Sequence, residues 1–285
     1  MVHKPLNQSS GSLATNRKPL FPEFPWWLLA IISFLGLMGY LIFTGEEYRQ
    51  AFEFIWGGPG SLENFGDRGL EGVVGKGITM TLYITLVSFF WAALIGLIVG
   101  LGRINKNVVI RNLATTYIEF VRGVPTIVLL FTLALVVVPA FFELIGADNT
   151  IGNTSRAIAA LSIIYGAFLA EVFRAGIESV PLGQTEAAQS VGLNRMQTMR
   201  YVILPQAIRN VLPALGNDFI AMLKDSSLVT LLAVRDLTQQ AKLYSGSSFR
   251  FRETYLVLTF LYLSMTIVLS LLLRWYENRL STDGH

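Results

Sequence analysis

Two adjacent charged residues, Lys224 and Asp225, interrupt an apolar stretch that covers residues 210–234. A lysine and an aspartate side by side offer partners for the carboxylate and the ammonium group of a zwitterion. On an ideal helix the two side chains point about 100° apart, and the following Ser226 and Ser227 could satisfy a locally loosened backbone. The pair therefore predicts either a ligand site for a small zwitterion or a gate with structural ion pairs. Candidate partners for such ion pairs are Glu119, Arg122 and Glu171.

A glycine and a proline stand close together where another apolar stretch begins. Both residue types weaken a helix, and the backbone groups that they free need partners in the protein or in a polar cavity. The segment could form a broken helix that lines a polar path, or an ordinary kink whose arginine extends toward water. Its residues are Arg122, Gly123, Val124, Pro125 and Thr126.

A third charged group, Glu171 and Arg174, interrupts the apolar stretch that begins with residues 157–170. The two residues are three apart, so on a helix they share one face and can pair with each other. Together with Glu119 they predict either a gate or a structural ion-pair network.

Composition indicates the environment in which these charges must act. Only 14% of the residues are charged and 53% are apolar, whereas soluble proteins carry roughly 25% charged residues. The mean hydropathy is +0.53, and the sequence therefore predicts an integral membrane protein.

The chain has no cysteine, and its two histidines are His3 and His285, which excludes thiolate chemistry and nearly excludes imidazole chemistry. A net charge of +3 is too small to favour nucleic-acid binding.

Six stretches are candidates for membrane-spanning helices. Residues 26–44, 77–102, 123–142 and 254–273 are free of charge, and each stretch is long enough to cross about 30 Å of hydrocarbon. The stretches around 157–170 and 210–234 contain charges and complete the set. Basic residues are more frequent in the loops that lie inside when the N-terminus is inside, which predicts cytoplasmic N- and C-termini.

These assignments divide the chain into five parts. Residues 1–25 form a cytoplasmic N-terminal tail, and residues 26–44 form a first transmembrane helix. Residues 45–76 form a Gly-rich, acidic extracytoplasmic loop with one surface helix. Residues 77–280 form the main transmembrane domain, with a large cytoplasmic loop at about 178–209, and residues 281–285 form a C-terminal tail.

The cytoplasmic loop carries strong local signals for two short helices. Gly192 suits a left-handed C-cap of the first helix. Asn194 suits the N-cap of the second, with Gln197 three residues later as in a capping box. Pro205 should then disrupt the second helix and turn the chain toward the next span. The alanines at 187 and 188 predict a small-faced first helix that another protein could approach closely.

The same loop carries a family pattern. Glu186-Ala187-Ala188, Gly192 and Leu204-Pro205 resemble the EAA motif of ABC-importer permeases, E-A-A-x₃-G-x₉-I-x-L-P, with Val202 at the isoleucine position. Residues 77–82, 119–125, 170–181 and 223–228 are similar to the polar amino acid (histidine/glutamine/arginine-type) permease subfamily. The resemblance covers roughly residues 70–280, so nothing is carried over to residues 1–70.

The resemblance implies an all-α integral membrane protein with the type I ABC importer permease fold. Its five core transmembrane helices would be preceded here by one extra N-terminal helix. The expected function is alternating-access import of polar amino acids across a bacterial inner membrane. In this family the EAA loop forms a coupling helix that docks on the ATPase. The coupling residues would be Glu186, Ala187, Ala188, Gly192, Leu204 and Pro205.

The resemblance also implies the partners. They are a cytoplasmic ABC ATPase dimer, a second permease subunit that is an identical or a sister chain, and an extracytoplasmic amino-acid-binding protein, all in contact with or near membrane lipid. No cofactor is expected in this chain, because ATP and Mg would be bound by the ATPase. The segment Gly72–Gly77 lacks the spacing of a phosphate-binding loop, which agrees with a non-catalytic subunit. Family knowledge places the substrate cavity around residues 123–126 and 223–228.

Two other functions have weaker support in the sequence. An ion-coupled secondary transporter of a small polar solute could also place Lys and Asp within spans, but it would typically show an internal repeat of spans, and the sequence shows none. A membrane enzyme would need a catalytic set, and neither clustered carboxylates nor a central histidine is present.

Overall fold

The computed structural model describes residues 26–56, 76–146 and 151–282. The predictions for residues 1–25 and 283–285, and most of those for the Gly-rich loop, lie outside these ranges. The regular elements of the described residues are all helical. In chain order the α-helices are α1 (Trp26–Thr44), α2 (Glu46–Trp56), α3 (Lys76–Arg103), α4 (Val108–Gly123), α5 (Thr126–Thr132), α6 (Val138–Leu144), α7 (Asn153–Glu178), α8 (Leu182–Ser190), α9 (Arg195–Thr198), α10 (Leu204–Asp225), α11 (Leu237–Ser248) and α12 (Phe251–Thr282). Two π-helical segments, Leu133–Val137 and Met199–Ile203, and a 3₁₀ helix, Ser226–Leu232, link some of them.

Several of these helices are long and apolar enough to cross a membrane. Within the described residues, four stretches meet this test: Gly77–Arg103, Thr126–Leu144, Asn153–Glu178 and Phe251–Glu277. The pair Leu29–Thr44 and Glu46–Trp56 is a fifth candidate and bends by 99° between its two helices. The predicted stretch 210–234 falls on α10 and the 3₁₀ helix, and it is not among these candidates. The count of six spans therefore stays a prediction.

The centre of the bundle is the contact between α3 and α7. A Cβ atom at Gly96 would lie 2.7 Å from the Cβ atom of Leu169, and one at Gly100 would lie 2.7 Å from the carbonyl oxygen of Ala170. From the other side, a Cβ atom at Gly166 would lie 2.6 Å from Ile95. Glycines thus let the two backbones approach closely, as small residues do between membrane helices. The sequence pattern Gly96-x-x-x-Gly100 indicates this packing role, and the structure confirms it.

The N-terminal helices form a second packed unit. The chain turns at Gly45 after α1, and α2 then packs against α11 and α12. Ala51 and Ile55 on α2 are completely buried, whereas Glu46 and Glu47 at its start are exposed. The surface helix predicted within residues 45–76 is therefore present as α2, and its apolar face covers one end of the bundle.

A proline stands two positions after the end of each π-helical segment. The N–H of Val138 donates to the oxygen of Leu133, five residues back, before Pro139. The N–H of Leu204 donates to Met199 in the same way before Pro205. Proline lacks an N–H, and its ring collides with the carbonyl of the preceding turn in a regular α-helix. A wider π turn relieves that collision.

The second of these π turns corrects one prediction in part. The α-helical geometry is interrupted before Pro205, as the sequence indicates. The chain does lead toward the next span, but Pro205 does not end the helical geometry, because Met199, Ile203 and Leu204 all keep right-handed helical angles. The widened turn carries α9 directly into α10, so the cytoplasmic loop is joined to a long helix without a flexible break.

Candidate functional site

The helix α10 loses its α-helical form at the charged pair. Its last residue is Asp225, and the chain continues as the 3₁₀ helix until Ala233, which has a left-handed conformation with φ of 56°. The hydroxyl of Ser226 donates to the carbonyl oxygen of Leu223 at 2.7 Å. The locally loosened backbone that the sequence predicts after Lys224 and Asp225 is thus present, and a serine helps to satisfy it.

Lys224 and Asp225 have different surroundings. Lys224 is exposed and lines an open cavity, whereas Asp225 accepts a hydrogen bond of 2.8 Å from the hydroxyl of buried Tyr165 on α7. Among the described residues neither charge forms an ion pair with Glu119, Arg122 or Glu171. The two side chains therefore do not converge on one point within this chain, as the angle of about 100° between neighbouring helix positions requires.

The cavity beside Lys224 has a volume of about 400 Å³; its surface is mostly apolar, and five of its lining residues carry a hydroxyl group. That volume lies within the usual range for small-molecule sites. Its other lining residues are Ser227, Thr238, Leu258, Thr259, Tyr262, Leu263 and Thr266. The ammonium of Lys224 can bind the carboxylate of a small solute. The hydroxyls of Thr259 and Thr266 donate to backbone carbonyls of α12, so their oxygens can only accept hydrogen bonds from such a solute. The sequence reasoning missed the residues from α12, although their spacing of three and four along a charge-free stretch is a helical face and could have shown them.

A buried carboxylate fixes one wall of this cavity. Asp236 is completely buried at the start of α11, where its side chain accepts hydrogen bonds from the N–H groups of Thr238 and Gln239 at 3.2 and 2.9 Å. The adjacent N–H of Leu237 donates to the hydroxyl of Thr81. Burial raises the pKa of Asp236 to about 6, although its backbone hydrogen bonds act in the opposite direction. This cap holds Thr238, whose hydroxyl lies 3.0 Å from that of Tyr262, at the cavity wall.

The predicted break between α4 and α5 is present. Helix α4 ends at Gly123, Val124 is extended, and Pro125 precedes the first residue of α5, Thr126. The carbonyl of Pro125 accepts hydrogen bonds from Val128 and Leu129, which starts the new helix. Helix α5 in turn contacts the 3₁₀ helix that follows Asp225. The structure thus brings the two predicted path segments into one neighbourhood, while Arg122 stays exposed.

The remaining predicted charges belong to one network that joins three helices. Arg103 at the end of α3 contacts Glu171 on α7 at 2.7 Å and Glu119 on α4 at 3.7 Å. Arg174 pairs with Glu171, as their spacing indicates, and also with Glu178. The sequence reasoning missed Arg103 as a member. Its signal was its position as the first charge after a long apolar helix.

The cytoplasmic loop has the predicted two-helix form. Gly192 has φ of +89°, and the N–H groups of Leu193 and Gly192 donate to the oxygens of Ala188 and Gln189, which is a Schellman cap. Asn194 and Gln197 exchange two hydrogen bonds of 2.9 Å and form the predicted capping box. Local hydrogen bonds therefore fix the C-terminus of α8 and the N-terminus of α9, which flank the turn.

The exposed surface of this loop differs from the predicted one in a single residue. Glu186 and Ala187 are exposed, but Ala188 is buried and does not belong to an approachable face. Large apolar side chains supply much of the exposed surface instead, namely Leu182 (80% exposed), Val191 (79%) and Met196 (76%). Such side chains on a polar loop are typical of a protein–protein contact. Leu204 and Pro205, the last motif residues, are also exposed and begin α10.

Comparisons with known proteins agree with this architecture. Residues 92–282 match the family model described as "Binding-protein-dependent transport system inner membrane component". The chain is 39% identical over 206 residues to the probable amino-acid permease protein YxeN of Bacillus subtilis, a match that covers 72% of this chain and 90% of YxeN. It is 35% identical over 205 residues to the glutamine transport system permease protein GlnP of Escherichia coli, covering 72% of this chain and 91% of GlnP.

Solved structures show the same fold. An amino acid ABC transporter crystallised with histidines is similar with a TM-score of 0.64 and 38% identity, over 71% of this chain and 92% of that one. The MetNI methionine ABC transporter is similar with a TM-score of 0.60 and 23% identity, over 72% and 94%. The second likeness supports the fold alone. With the family model matched over most of the chain, this protein belongs to the binding-protein-dependent transport system inner membrane components.

Proposed function

We propose that this chain is the membrane-spanning permease subunit of an ABC importer that moves polar amino acids into the cytoplasm. The observation that carries the proposal is the doubly capped, exposed EAA loop within residues 92–282, which match the model of the binding-protein-dependent transport family. The relatives named above are amino-acid or glutamine permeases. The ion-coupled alternative has no comparable support.

The EAA loop is the proposed docking site for the ATPase. Its exposed apolar side chains can enter a cleft of the partner, and Glu186 can contact cationic groups there. The helical chain continues from α9 through the π segment into α10, which also contains Pro213. Movement of the docked loop would therefore reach Lys224 and Asp225 at the other end of the same helix.

The open cavity beside Lys224 is the proposed substrate site. The ammonium group would bind the carboxylate of the amino acid, and the threonine, serine and tyrosine hydroxyls would bind its remaining polar atoms. Asp225, held by Tyr165, would act in the lining of the path, with the break at 122–126 close to it. The network of Arg103, Glu119, Glu171 and Arg174 would close the cytoplasmic side or hold its helices together. The chain itself would bind neither ATP nor Mg.

The assembly would contain two permease subunits, identical or sister chains, an ATPase dimer, and an extracytoplasmic binding protein. Both ends of this chain would lie in the cytoplasm.

The direct test is co-purification of the chain with its ATPase, followed by amino acid uptake into proteoliposomes. Uptake that requires enclosed ATP and the binding protein is expected. Uptake that proceeds without ATP and stops when an ion gradient is dissipated would contradict the proposal.

A further inference from the structure

The first turns of α3 carry a glycine and a threonine to which the proposed function gives no role. Gly77 and Thr81 belong to the segment 77–82, which is similar to the polar amino acid permeases. Both residues are buried, and neither is among the residues that line the cavity beside Lys224. They are four positions apart, so they lie on one face of the helix.

Gly77 lets α2, α3 and α11 meet at one point. A Cβ atom at this position would lie 2.6 Å from the carbonyl oxygen of Ile55 on α2 and 3.5 Å from the Cα atom of Leu237 on α11. The first distance is shorter than a Cβ atom can approach an oxygen, and glycine is the residue that permits such a contact between backbones. The start of α11 is therefore held directly against the backbone of α3.

The hydroxyl of Thr81 joins two walls of the cavity. Its oxygen accepts a hydrogen bond of 3.1 Å from the N–H of Leu237, the first residue of α11. The side chain of Thr81 also interacts with the hydroxyl of Tyr262 on α12. Thr238, which follows Leu237, lies 3.0 Å from the same tyrosine hydroxyl, and both of these residues line the cavity. One buried hydroxyl of α3 thus contacts the α11 wall and the α12 wall together.

The N–H of Leu237 depends on this contact. The first N–H groups of a helix have no acceptor within the helix, and the carboxylate of Asp236 accepts from Thr238 and Gln239 instead. Leu237 is completely buried, so without the threonine its N–H would be left without an acceptor, which is unfavourable. The start of α11 would then shift, and Thr238 would move with it.

We propose that Thr81 is a positioning residue of the substrate cavity, and that Gly77 is the contact that brings it within reach of α11. The inference rests on the proposed function, because it takes the cavity as the amino acid site. Thr81 does not touch the substrate. It holds Thr238 and Tyr262 at the spacing that a bound amino acid requires.

The test is binding of L-glutamine and L-histidine to the complex purified in detergent, with Thr81→Val as the critical variant. Valine has nearly the shape of threonine but cannot accept the hydrogen bond of Leu237. Thr85→Val is the matched control, because Thr85 is equally buried on the same helix while its hydroxyl donates to the carbonyl oxygen of Thr81 within α3.

Thr81→Val should raise the Kd of the bound amino acid at least fivefold, whereas Thr85→Val should leave it within twofold of the unmodified complex. Thr81→Ser keeps the hydroxyl and should also stay within twofold. The ATPase should co-purify in the same amount with every variant, which shows that the chain is folded and assembled. Equal Kd values for Thr81→Val and Thr85→Val would overturn the proposal.

A second measurement needs no bound amino acid. The chain has no cysteine, so Thr238→Cys places its single thiol on the half-buried α11 wall of the cavity. Addition of Thr81→Val should raise the rate of alkylation of this thiol by N-ethylmaleimide at least threefold, and addition of Thr85→Val should not. Equal rates in the two double variants would contradict the positioning role, even for a complex that binds neither amino acid.

Failure of this inference can be told from failure of the proposed function by including Lys224→Met. If Lys224→Met weakens binding and Thr81→Val does not, the cavity is the substrate site and the positioning role is wrong. If both variants bind as tightly as the unmodified complex, the amino acid binds elsewhere, and the proposed site and this inference are both wrong.

Discussion

Lys224 and Asp225 are neighbours in sequence but contact different parts of the molecule. The lysine lines the open cavity, and the aspartate accepts a hydrogen bond from Tyr165. Only the lysine lines the cavity in which a small solute would bind. We therefore assign the substrate carboxylate to Lys224 and a role in the lining or gating of the path to Asp225.

This assignment predicts unequal effects of neutral substitutions. Lys224→Met should weaken amino acid binding to the purified complex at least tenfold, because a charge-assisted hydrogen bond contributes about 1.5–3 kcal/mol, and basal ATP hydrolysis should be nearly unchanged. Lys242→Met is the control, since Lys242 is an exposed lysine on α11 outside the cavity. Asp225→Asn keeps an oxygen for Tyr165 and should change affinity less. Unchanged affinity in Lys224→Met, with altered basal hydrolysis, would assign the lysine to a gate.

Asp236 predicts a dependence of stability on pH. Its pKa is raised to about 6 by burial, against about 3.9 in an unfolded chain. The unfolded chain therefore releases the proton first, and stability is lost as the pH rises from about 4 through 6. The loss above pH 6 is roughly 3 kcal/mol. Thermal unfolding in detergent, followed by tryptophan fluorescence between pH 4.5 and 7.5, measures it.

Asp236→Asn is the informative variant for this effect. Asparagine caps a helix about as well as aspartate but has no charge to desolvate. The variant should lack this pH dependence and should unfold at a higher temperature than the unmodified chain at pH 7.5. Parallel pH profiles for the two proteins would show that Asp236 is not responsible.

At the scale of elements, local hydrogen-bond chemistry was predictable and tertiary orientation was not. Gly192, Asn194 and Gln197 determine their turn within a few residues, so the sequence alone predicts both helices of the EAA loop. The break at Gly123 and Pro125 was visible for the same reason. By contrast, the burial of Ala188 depends on how α8 packs on α9 and the π segment, and the contact of Arg103 with Glu171 joins residues 68 positions apart. Neither contact is determined by residues that are neighbours in the sequence, although the position of Arg103 after a long apolar stretch marks it as a candidate.

We predict that coupling between this chain and the ATPase requires the helical geometry of the EAA loop. Ala188→Pro should disorder α8, since an interior proline costs about 3 kcal/mol, and it should lower substrate-stimulated ATP hydrolysis at least tenfold while the chain remains in the membrane. Ala188→Ser is the control at the same buried position, because serine is small and keeps the backbone N–H. Normal stimulated hydrolysis in Ala188→Pro would mean that the ATPase docks elsewhere.

At the scale of the whole molecule, the charge distribution between loops predicts the orientation in the membrane. More basic residues fall in the loops that lie inside when the N-terminus is inside, and residues 1–25 contain Lys4, Arg17 and Lys18. Six spans then place residues 45–76 outside. The absence of cysteine lets single cysteines report on this directly. A thiol reagent that cannot cross the membrane should label Ser61→Cys in intact cells, and it should label Ser10→Cys only after the cells are opened. If Ser10→Cys reacts in intact cells while Ser61→Cys does not, the chain is inserted in the opposite orientation, and the EAA loop cannot meet a cytoplasmic ATPase.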